Sequence, residues 1–285
     1  LLLKNQRKSE NDENELEVTK RTKIKALGQH FLKNQTILRK IIRSISPCKE
    51  DLIIEIGPGK GALTFPLAEK AGKVIAIEID SFLIPYLQRK NIPNLTILEK
   101  DILRVDFNKL VEKEEIFKGH VKLVGNLPYS LSSPLLFKVL QVKELFSECV
   151  FLLQKEVAER ICSRSGSKKF APLSILFQIH FSARKRFVVP PECFTPPPKV
   201  NSALVSLKKR DAPLYPISKE ESFHNFLKGA FKHRRKILRN NLEKLNLPIS
   251  LIDEAYNKFT LEKNLRAEQL SISQFVELFN FFYQG

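Results

Sequence analysis

The tetrapeptide Asn126-Leu127-Pro128-Tyr129 follows a strand-like apolar run (Val121, Leu123, Val124) and a single glycine, Gly125. It places an amide, a carbonyl whose direction the next proline restricts, and an aromatic ring at a strand end. Those parts suit one task, the gripping of a planar amino group. The amino nitrogen of adenine or cytosine is a poor nucleophile because its lone pair is delocalised into the ring. The Asn126 side-chain oxygen can accept one N–H and the Leu127 carbonyl the other, which draws the nitrogen toward tetrahedral geometry. Tyr129 can stack on the base and face the positive charge that develops on nitrogen. Such a reaction runs on positioning and electrostatics without a strong base. Taken alone, Asn-Leu-Pro would also serve as a plain strand-to-loop turn. The base must be unpaired or flipped out to enter. Phe194, held in the stiff run Cys193-Phe194-Thr195-Pro196-Pro197-Pro198-Lys199-Val200, is a candidate second stacking ring.

A second group of residues suits a nucleoside cofactor. Glu55-Ile56-Gly57-Pro58-Gly59-Lys60-Gly61 lies between a strand and a helix. Gly57 and Gly59 allow a tight turn and close approach of a ligand, in G-x-G-x-G spacing rather than the dinucleotide G-x-G-x-x-G. Glu78 ends the next strand, where a carboxylate can accept both ribose hydroxyls. Asp101 lies just past the third strand, placed to accept from an adenine amino group. Adenosine with an amino-acid tail is S-adenosylmethionine; NAD is the rival. The plain alternatives are a solvated strand end for Glu78 and a helix N-cap for Asp101.

These residues need strands to carry them. Apolar spacing from Phe31 through Ile45 is helical. Leu52 to Ile56, Val74 to Asp80, Leu95 to Leu98 and Val121 to Val124 are short buried-strand runs, with helices expected at Ala62 to Gly72 and Ser81 to Lys90. Pro134 to Leu145 is a helix and Cys149 to Leu153 a strand. Ile175 to Ile179 and Val200 to Leu207 complete the strands, with an antiparallel edge as one arrangement. The alternation predicts an α/β fold, a parallel sheet with helices on both faces and a small C-terminal α-helical domain; joined to the chemistry of the two motifs, it reads as a Rossmann-like class I methyltransferase sheet. Helices are expected at Phe223 to Leu245, Ile249 to Phe259 and Ser273 to Phe282. The expected organisation is a flexible tail over 1–22, a methyltransferase domain over 23–208 and a helical RNA-binding domain over 209–285.

The 285 residues carry 48 Lys and Arg against 31 Asp and Glu, a net charge of +17 that points to a polyanion, nucleic acid ahead of membrane. Lys232, Arg234, Arg235, Lys236 and Arg239 crowd what the spacing makes the first C-terminal helix, with Phe226, Phe231 and Leu238 interleaved. A second basic run joins Arg160, Arg164, Lys168 and Lys169 to Arg184-Lys185-Arg186. The four cysteines form no C-x-x-C pair, so no metal site is expected and a reducing, cytoplasmic compartment fits. No run of about 20 apolar residues occurs, so no membrane span is expected. Met and Trp are absent, for which there is no physical account.

With these motifs in place, the chain resembles the ribosomal RNA adenine dimethyltransferase family, nearest its bacterial small-subunit branch. The resemblance runs from about Lys25 to the C-terminus. It rests on Leu27-Gly28-Gln29-His30-Phe31-Leu32, Glu55 to Thr64, Asn126 to Tyr129, Gln154 to Arg160, Phe194 to Ser202, Arg234-Arg235-Lys236 and Leu265 to Ser271. It implies S-adenosylmethionine as donor and dimethylation at N6 of two adjacent adenosines in the 3′-terminal hairpin loop of small-subunit (16S) rRNA. The implied substrate is a pre-assembled small subunit, acted on by a monomer. It also implies that His30, Leu32, Gly57, Gly59, Glu78, Asp101 and Asn126 line the cofactor site, with His30 where the family often has Asn. Tyr129 and Phe194 would frame the adenine. The related erythromycin-resistance enzymes, which modify large-subunit rRNA, share the turn and a similar Asn-x-Pro-Tyr motif. A non-catalytic ribosome-assembly factor that kept the fold is the other alternative, and a dehydrogenase a third.

Overall fold

The structure is a computed structural model that describes residues 28–117, 119–129 and 131–283. The tail expected over 1–22, with Leu27, lies outside the described residues.

A two-residue strand β1 (Phe31–Leu32) opens the described chain. Helix α1 (Gln35–Ile45) begins only after Asn34, whose side chain accepts the Thr36 and Ile37 amides, and it buries Leu38, Ile41, Ile42 and Ile45. The helix expected from Phe31 therefore starts later, because Phe31 and Leu32 pair with β8 (Phe194–Thr195). Strands β2 (Leu52–Ile56), β3 (Lys73–Glu78) and β4 (Leu95–Glu99) alternate with α2 (Thr64–Lys70) and α3 (Ile84–Gln88). After α4 (Phe107–Glu112) come β5 (Val121–Asn126), α5 (Ser132–Gln141), β6 (Glu148–Gln154) and α6 (Lys155–Ile161).

One seven-stranded sheet has the order β4-β3-β2-β5-β6-β9-β7, with β9 spanning Ser202–Lys209 and β7 spanning Phe181–Val189. The first five strands are parallel, and β9 and β7 pair antiparallel at one edge. The chain runs outward from β2 to β4, then returns to place β5 on the other side of β2. That reversal opens a crevice at the C-terminal strand ends. Gly125 sits opposite Ile56 there. A Cβ on Gly125 would come 2.7 Å from the Ile56 carbonyl oxygen. The glycine thus lets β5 lie flat against β2 one residue before Asn126.

The run Ile175 to Ile179, expected as a strand, is part of helix α7 (Pro172–His180). The reason is burial on two sides. Leu173 and Phe177 pack into the sheet core, while Ile175 and Ile179, with Phe170, pack among the C-terminal helices. A helix covered all round has the same continuous apolar text as a buried strand. Pro172 suits its first turn, and the Ser174 hydroxyl accepts the Ala171 amide at 3.1 Å.

Beyond β9 lie α8 (Glu220–Ala230), α9 (Leu238–Leu242), α10 (Ile249–Lys258) and α11 (Ile272–Tyr283). Their core of Phe223, Phe226, Phe275 and Phe279 also takes in Phe170, Ile175 and Ile179, so residues 209–285 alone do not complete it. The single helix expected from Phe223 to Leu245 is broken at 231–237. Five consecutive residues of basic type, Lys232 to Lys236, disfavour a helix through like-charge crowding. Buried Asn241 accepts the His233 amide at 3.1 Å and donates to the His233 carbonyl at 3.3 Å, satisfying the turn without helical partners.

Gly125→Ala forces β5 away from β2. We expect a loss of about 1–3 kcal/mol of stability, measured by urea unfolding, together with reduced cofactor binding measured by calorimetry.

Candidate active site

A cleft of about 560 Å³ opens at the strand ends, within the size range of small-molecule sites. It is lined by residues from every sequence-predicted cofactor and base position: His30, Leu32, Gly57, Gly59, Glu78, Asp101, Asn126, Leu127, Pro128, Tyr129 and Phe194. The basic residues predicted to meet RNA do not line it.

The turn after β2 runs with φ of +65° at Gly57 and +57° at Gly59, the left-handed region that side chains disfavour. A Cβ on Gly59 would meet the Phe31 ring at 3.0 Å. Glu78 closes over this turn. Its Oε2 accepts the Gly59 amide at 3.1 Å, and its Oε1 accepts the Ile79 and Asp80 amides, each at 2.9 Å. A carboxylate offers about four acceptor sites, so three are filled. One acceptor site of Glu78 is left without a donor among the described residues. Burial pushes the Glu78 carboxyl upward, against the pull of the Asp80, Gly59 and Ile79 amides.

Asp101 caps the short 3-10 turn Ile102–Arg104, with Oδ1 accepting the Leu103 amide at 2.9 Å. Its other oxygen is 3.8 Å from the exposed Arg104 Nε and borders the cleft. Asp101 is thus an N-cap residue that also lines the cleft.

The Asn126 amide is oriented. Its Nδ2 donates to the His30 carbonyl at 2.8 Å, which leaves Oδ1 as the acceptor. Among the described residues no donor reaches that oxygen or the Leu127 carbonyl. The Leu127 amide donates to the Leu152 carbonyl at 3.1 Å, while the Pro128 carbonyl takes the Leu131 amide at 3.0 Å. The two acceptors expected to grip an amino group are therefore the two left without a donor. The Tyr129 hydroxyl lies 3.1 Å from Ser202 Oγ, which holds the ring at its far end. Burial pushes the Tyr129 phenol upward, with the Ser202 contact opposing. Phe194 is buried at the cleft wall.

Sequence reasoning passed over Ser202 and Glu55 as functional groups. Ser202 gave no local signal; it reaches Tyr129 because β9 pairs with β6 in the register of Gln154 with Ser202. Glu55 did give one, a single carboxylate inside the run Leu52 to Ile56. Glu55 Oε2 and the Thr64 hydroxyl are both buried with no hydrogen-bond partner. A charge so placed is costly, and the neutral form wins. Burial pushes the carboxyl up to about 7; the Thr64 hydroxyl, close by without hydrogen-bond geometry, offsets part of this and Glu78 adds to it.

The basic positions divide. Lys232, Arg235 and Lys236 are exposed, with no ion-pair partner among the described residues. Arg234 instead donates through Nη2 to the Lys168 carbonyl and, at 3.0 Å, to the Phe170 carbonyl. Arg239 is paired with Glu243 at 3.0 Å and with Asp253, and lies over the Tyr256 ring. In the second run Lys169 and Lys185 share Glu159, and Arg160 pairs with Glu156. Of the five cations that the sequence places toward RNA, Arg234 and Arg239 also hold partners within the chain. Among the described residues no group of three metal-ligating side chains occurs.

The nucleoside-cofactor crevice and the strand-end amide clamp define a Rossmann-like methyltransferase. Residues 20–284 match the model of the ribosomal RNA adenine dimethylase family, and the chain belongs to that family. It is 41% identical over 258 residues to ribosomal RNA small subunit methyltransferase A of Xylella fastidiosa, covering 90% of this chain and 94% of that one. It is 38% identical over 261 residues to the protein of the same name from Clostridium botulinum, covering 91% and 94%. A dimethyladenosine transferase from Plasmodium falciparum superposes with a TM-score of 0.75 at 28% identity, over 87% of this chain and 96% of that one. The 23S rRNA methyltransferase ErmE superposes with a TM-score of 0.67 at 22% identity, over 88% and 99%, and shares the fold.

The donor of this family is S-adenosylmethionine, and the residues present fit it. Gly57 leaves space where a Cβ would project, with nothing nearer than 4.0 Å, Glu78 keeps one acceptor site, and Asp101 keeps one oxygen.

Glu55 makes stability depend on pH. Its folded value near 7 lies above the ordinary 4.5, so the folded chain holds a proton that the unfolded chain releases. The contribution is full below about pH 4.5 and is lost as pH rises through about 7. Glu55→Gln removes this slope, so the fall in the urea midpoint between about pH 5 and about pH 8 becomes smaller than in the parent.

Arg235→Ala lowers the salt slope of RNA binding by roughly one. Arg234→Ala costs about 1 kcal/mol of stability through its two stranded carbonyls, read by urea unfolding.

Proposed function

We propose that this chain transfers methyl groups from S-adenosylmethionine to N6 of two adjacent adenosines in the 3′-terminal hairpin loop of small-subunit rRNA, giving dimethyladenosine. The observation that carries the reading is the Asn126 amide, turned by His30 so that Oδ1 and the Leu127 carbonyl are the two acceptors at one mouth of the cleft. Two acceptors match two N–H groups. After the first transfer one N–H remains, and one acceptor still holds it.

When bound, S-adenosylmethionine supplies a sulfonium methyl and leaves as the neutral thioether. Asn126 and the Leu127 carbonyl hold the amine and stabilise the charge it gains. Tyr129, anchored by Ser202, and Phe194 hold the ring planes. The new C–N bond leaves an acidic ammonium, whose proton passes to solvent. The exposed Lys232, Arg235 and Lys236 supply phosphate contacts.

The small-subunit assignment is supported by the names of the relatives at 41% and 38% identity over nine-tenths of the chain. The large-subunit alternative has the support of a shared fold at 22% identity. Action on a pre-assembled small subunit, as a monomer in the cytoplasm, belongs to the same proposal. No described helix is long and apolar enough to cross a membrane.

Tritiated-methyl transfer into undermodified small subunits is expected, with mass spectrometry locating dimethyladenosine in the 3′-terminal hairpin. Cofactor binding with no transfer would favour the assembly-factor alternative. Asn126→Ala keeps the fold and lowers turnover by about a hundredfold or more; near-normal rates would refute the clamp.

A further inference from the structure

We propose that Lys60 is a positioning residue of the cofactor site, whose ammonium pairs with the carboxylate on the amino-acid tail of S-adenosylmethionine. This rests on the methyltransferase reading above and adds a residue to its donor site.

The tail is a zwitterion, with an ammonium and a carboxylate on one carbon. The carboxyl groups of the cleft, Glu55, Glu78 and Asp101, suit the ammonium and the sulfonium. They repel the carboxylate, which therefore needs donors of its own. A glycine-rich turn commonly offers its main-chain amides to an anion, but here they are committed. The Gly57 amide donates to the Ile77 carbonyl at 3.0 Å and the Gly61 amide to the Pro58 carbonyl at 2.9 Å. The Gly59 amide donates to Glu78 at 3.1 Å, and Pro58 has no N–H. That leaves Lys60 as the donor of the turn.

Lys33, Lys60 and Lys100 are the lysines on the cleft lining, and all three are exposed. None takes part in an ion pair among the described residues. Their positions separate them. Lys100 adjoins Asp101, and its amide donates to the Glu78 carbonyl at 2.9 Å, which sets it at the adenine and ribose end. The Lys33 amide donates to the Cys193 carbonyl at 2.9 Å, next to the ring wall Phe194. Lys60 stands on the turn. Transfer requires the sulfonium to face Asn126, and Gly57 adjoins Asn126, so the tail leaves the sulfur beside this turn.

The ammonium is held there in advance. Its Nζ lies 5.5 Å from the centroid of the Phe31 ring, a cation–π contact that restricts a flexible side chain. The same ring packs on Gly59, where a Cβ would meet it at 3.0 Å. A ring face takes no conventional hydrogen bond, so the N–H donors of Lys60 remain for an anion.

The test compares S-adenosylmethionine with decarboxylated S-adenosylmethionine, which differ only in the carboxylate. Lys60 is not among the residues with left-handed φ, so substitution there keeps the turn. Lys60→Gln is expected to raise the Kd of S-adenosylmethionine by about three- to tenfold, read by calorimetry. Binding of the decarboxylated ligand stays within about twofold, and Lys60→Arg restores most of the loss. Lys33→Gln leaves both ligands within about twofold of the parent.

Equal weakening of both ligands in Lys60→Gln, or no weakening, overturns the proposal. Selective loss in Lys33→Gln instead of Lys60→Gln moves the carboxylate to the base wall and also overturns it. So does a salt slope of RNA binding that falls by about one in Lys60→Gln with both ligands bound as before, because the anion is then an RNA phosphate. An unsubstituted protein that binds neither ligand sinks the methyltransferase reading and this proposal with it. One that binds both equally well sinks only the pairing at Lys60.

Discussion

The site depends on the parallel pairing of β2 with β5, where the strand order reverses. Ile56 and Gly125 lie side by side, and the chain leaves both strands at the same edge. One exit becomes the Gly57 turn and the other becomes Asn126. The Cβ built on Gly57 points toward the Asn126 carbonyl, 4.0 Å away. Cofactor turn and base clamp are therefore neighbours by register, before any side chain is considered. A slip of one residue would separate them by the rise of a strand residue and reverse every side chain on β5. The apolar walls on both faces of the sheet, Ile54 with Leu123 and Ile53 with Val124, oppose such a slip.

Electrostatics divides the molecule into an inside and an outside. The outside carries the excess of the +17 charge. The crevice is lined by Glu55, Glu78 and Asp101 at the strand ends, with Lys33, Lys60 and Lys100 also on its lining. Carboxylates at a desolvated strand end suit a cationic donor, while the cations beyond the rim suit a polyanion. The two fields do not cancel, because the buried acids act at short range in low dielectric and the surface cations act through salt solution. Glu55, pushed up to about 7 by burial, adds charge to this wall only as pH rises through that value.

Much of this was legible in the sequence, for physical reasons that also explain the failures. Buried parallel strands write themselves as short apolar runs, so β2 to β6 were readable, and so were the glycines and acids that end them. Asn126 to Tyr129 could be assigned chemistry because a strand end fixes where they point. Local text fails where partners are distant. Ile175 to Ile179 could not reveal that it is covered from two sides. Lys232 to Lys236 could not reveal that Asn241 would replace helical bonding, nor could Arg234 show that it would bind the Lys168 and Phe170 carbonyls. The roles of Ser202 and of the His30 carbonyl arise only from pairings made across about 70 residues and across 96 residues of chain. No window of neighbouring residues contains that information.

Helix α7 has a consequence for how the chain comes into being. It is threaded before β7 and β9, yet its Ile175 and Ile179 belong to a cluster completed by Phe226, Leu238, Phe275 and Phe279. During synthesis the sheet can pair while the Phe170, Ile175 and Ile179 flank is still bare, and that flank stays bare until the last helix leaves the ribosome. A chain cut after β9 would present the same uncovered face permanently. The C-terminal helices are thus less an appended module than the lid on a seam that the first part of the protein cannot close for itself.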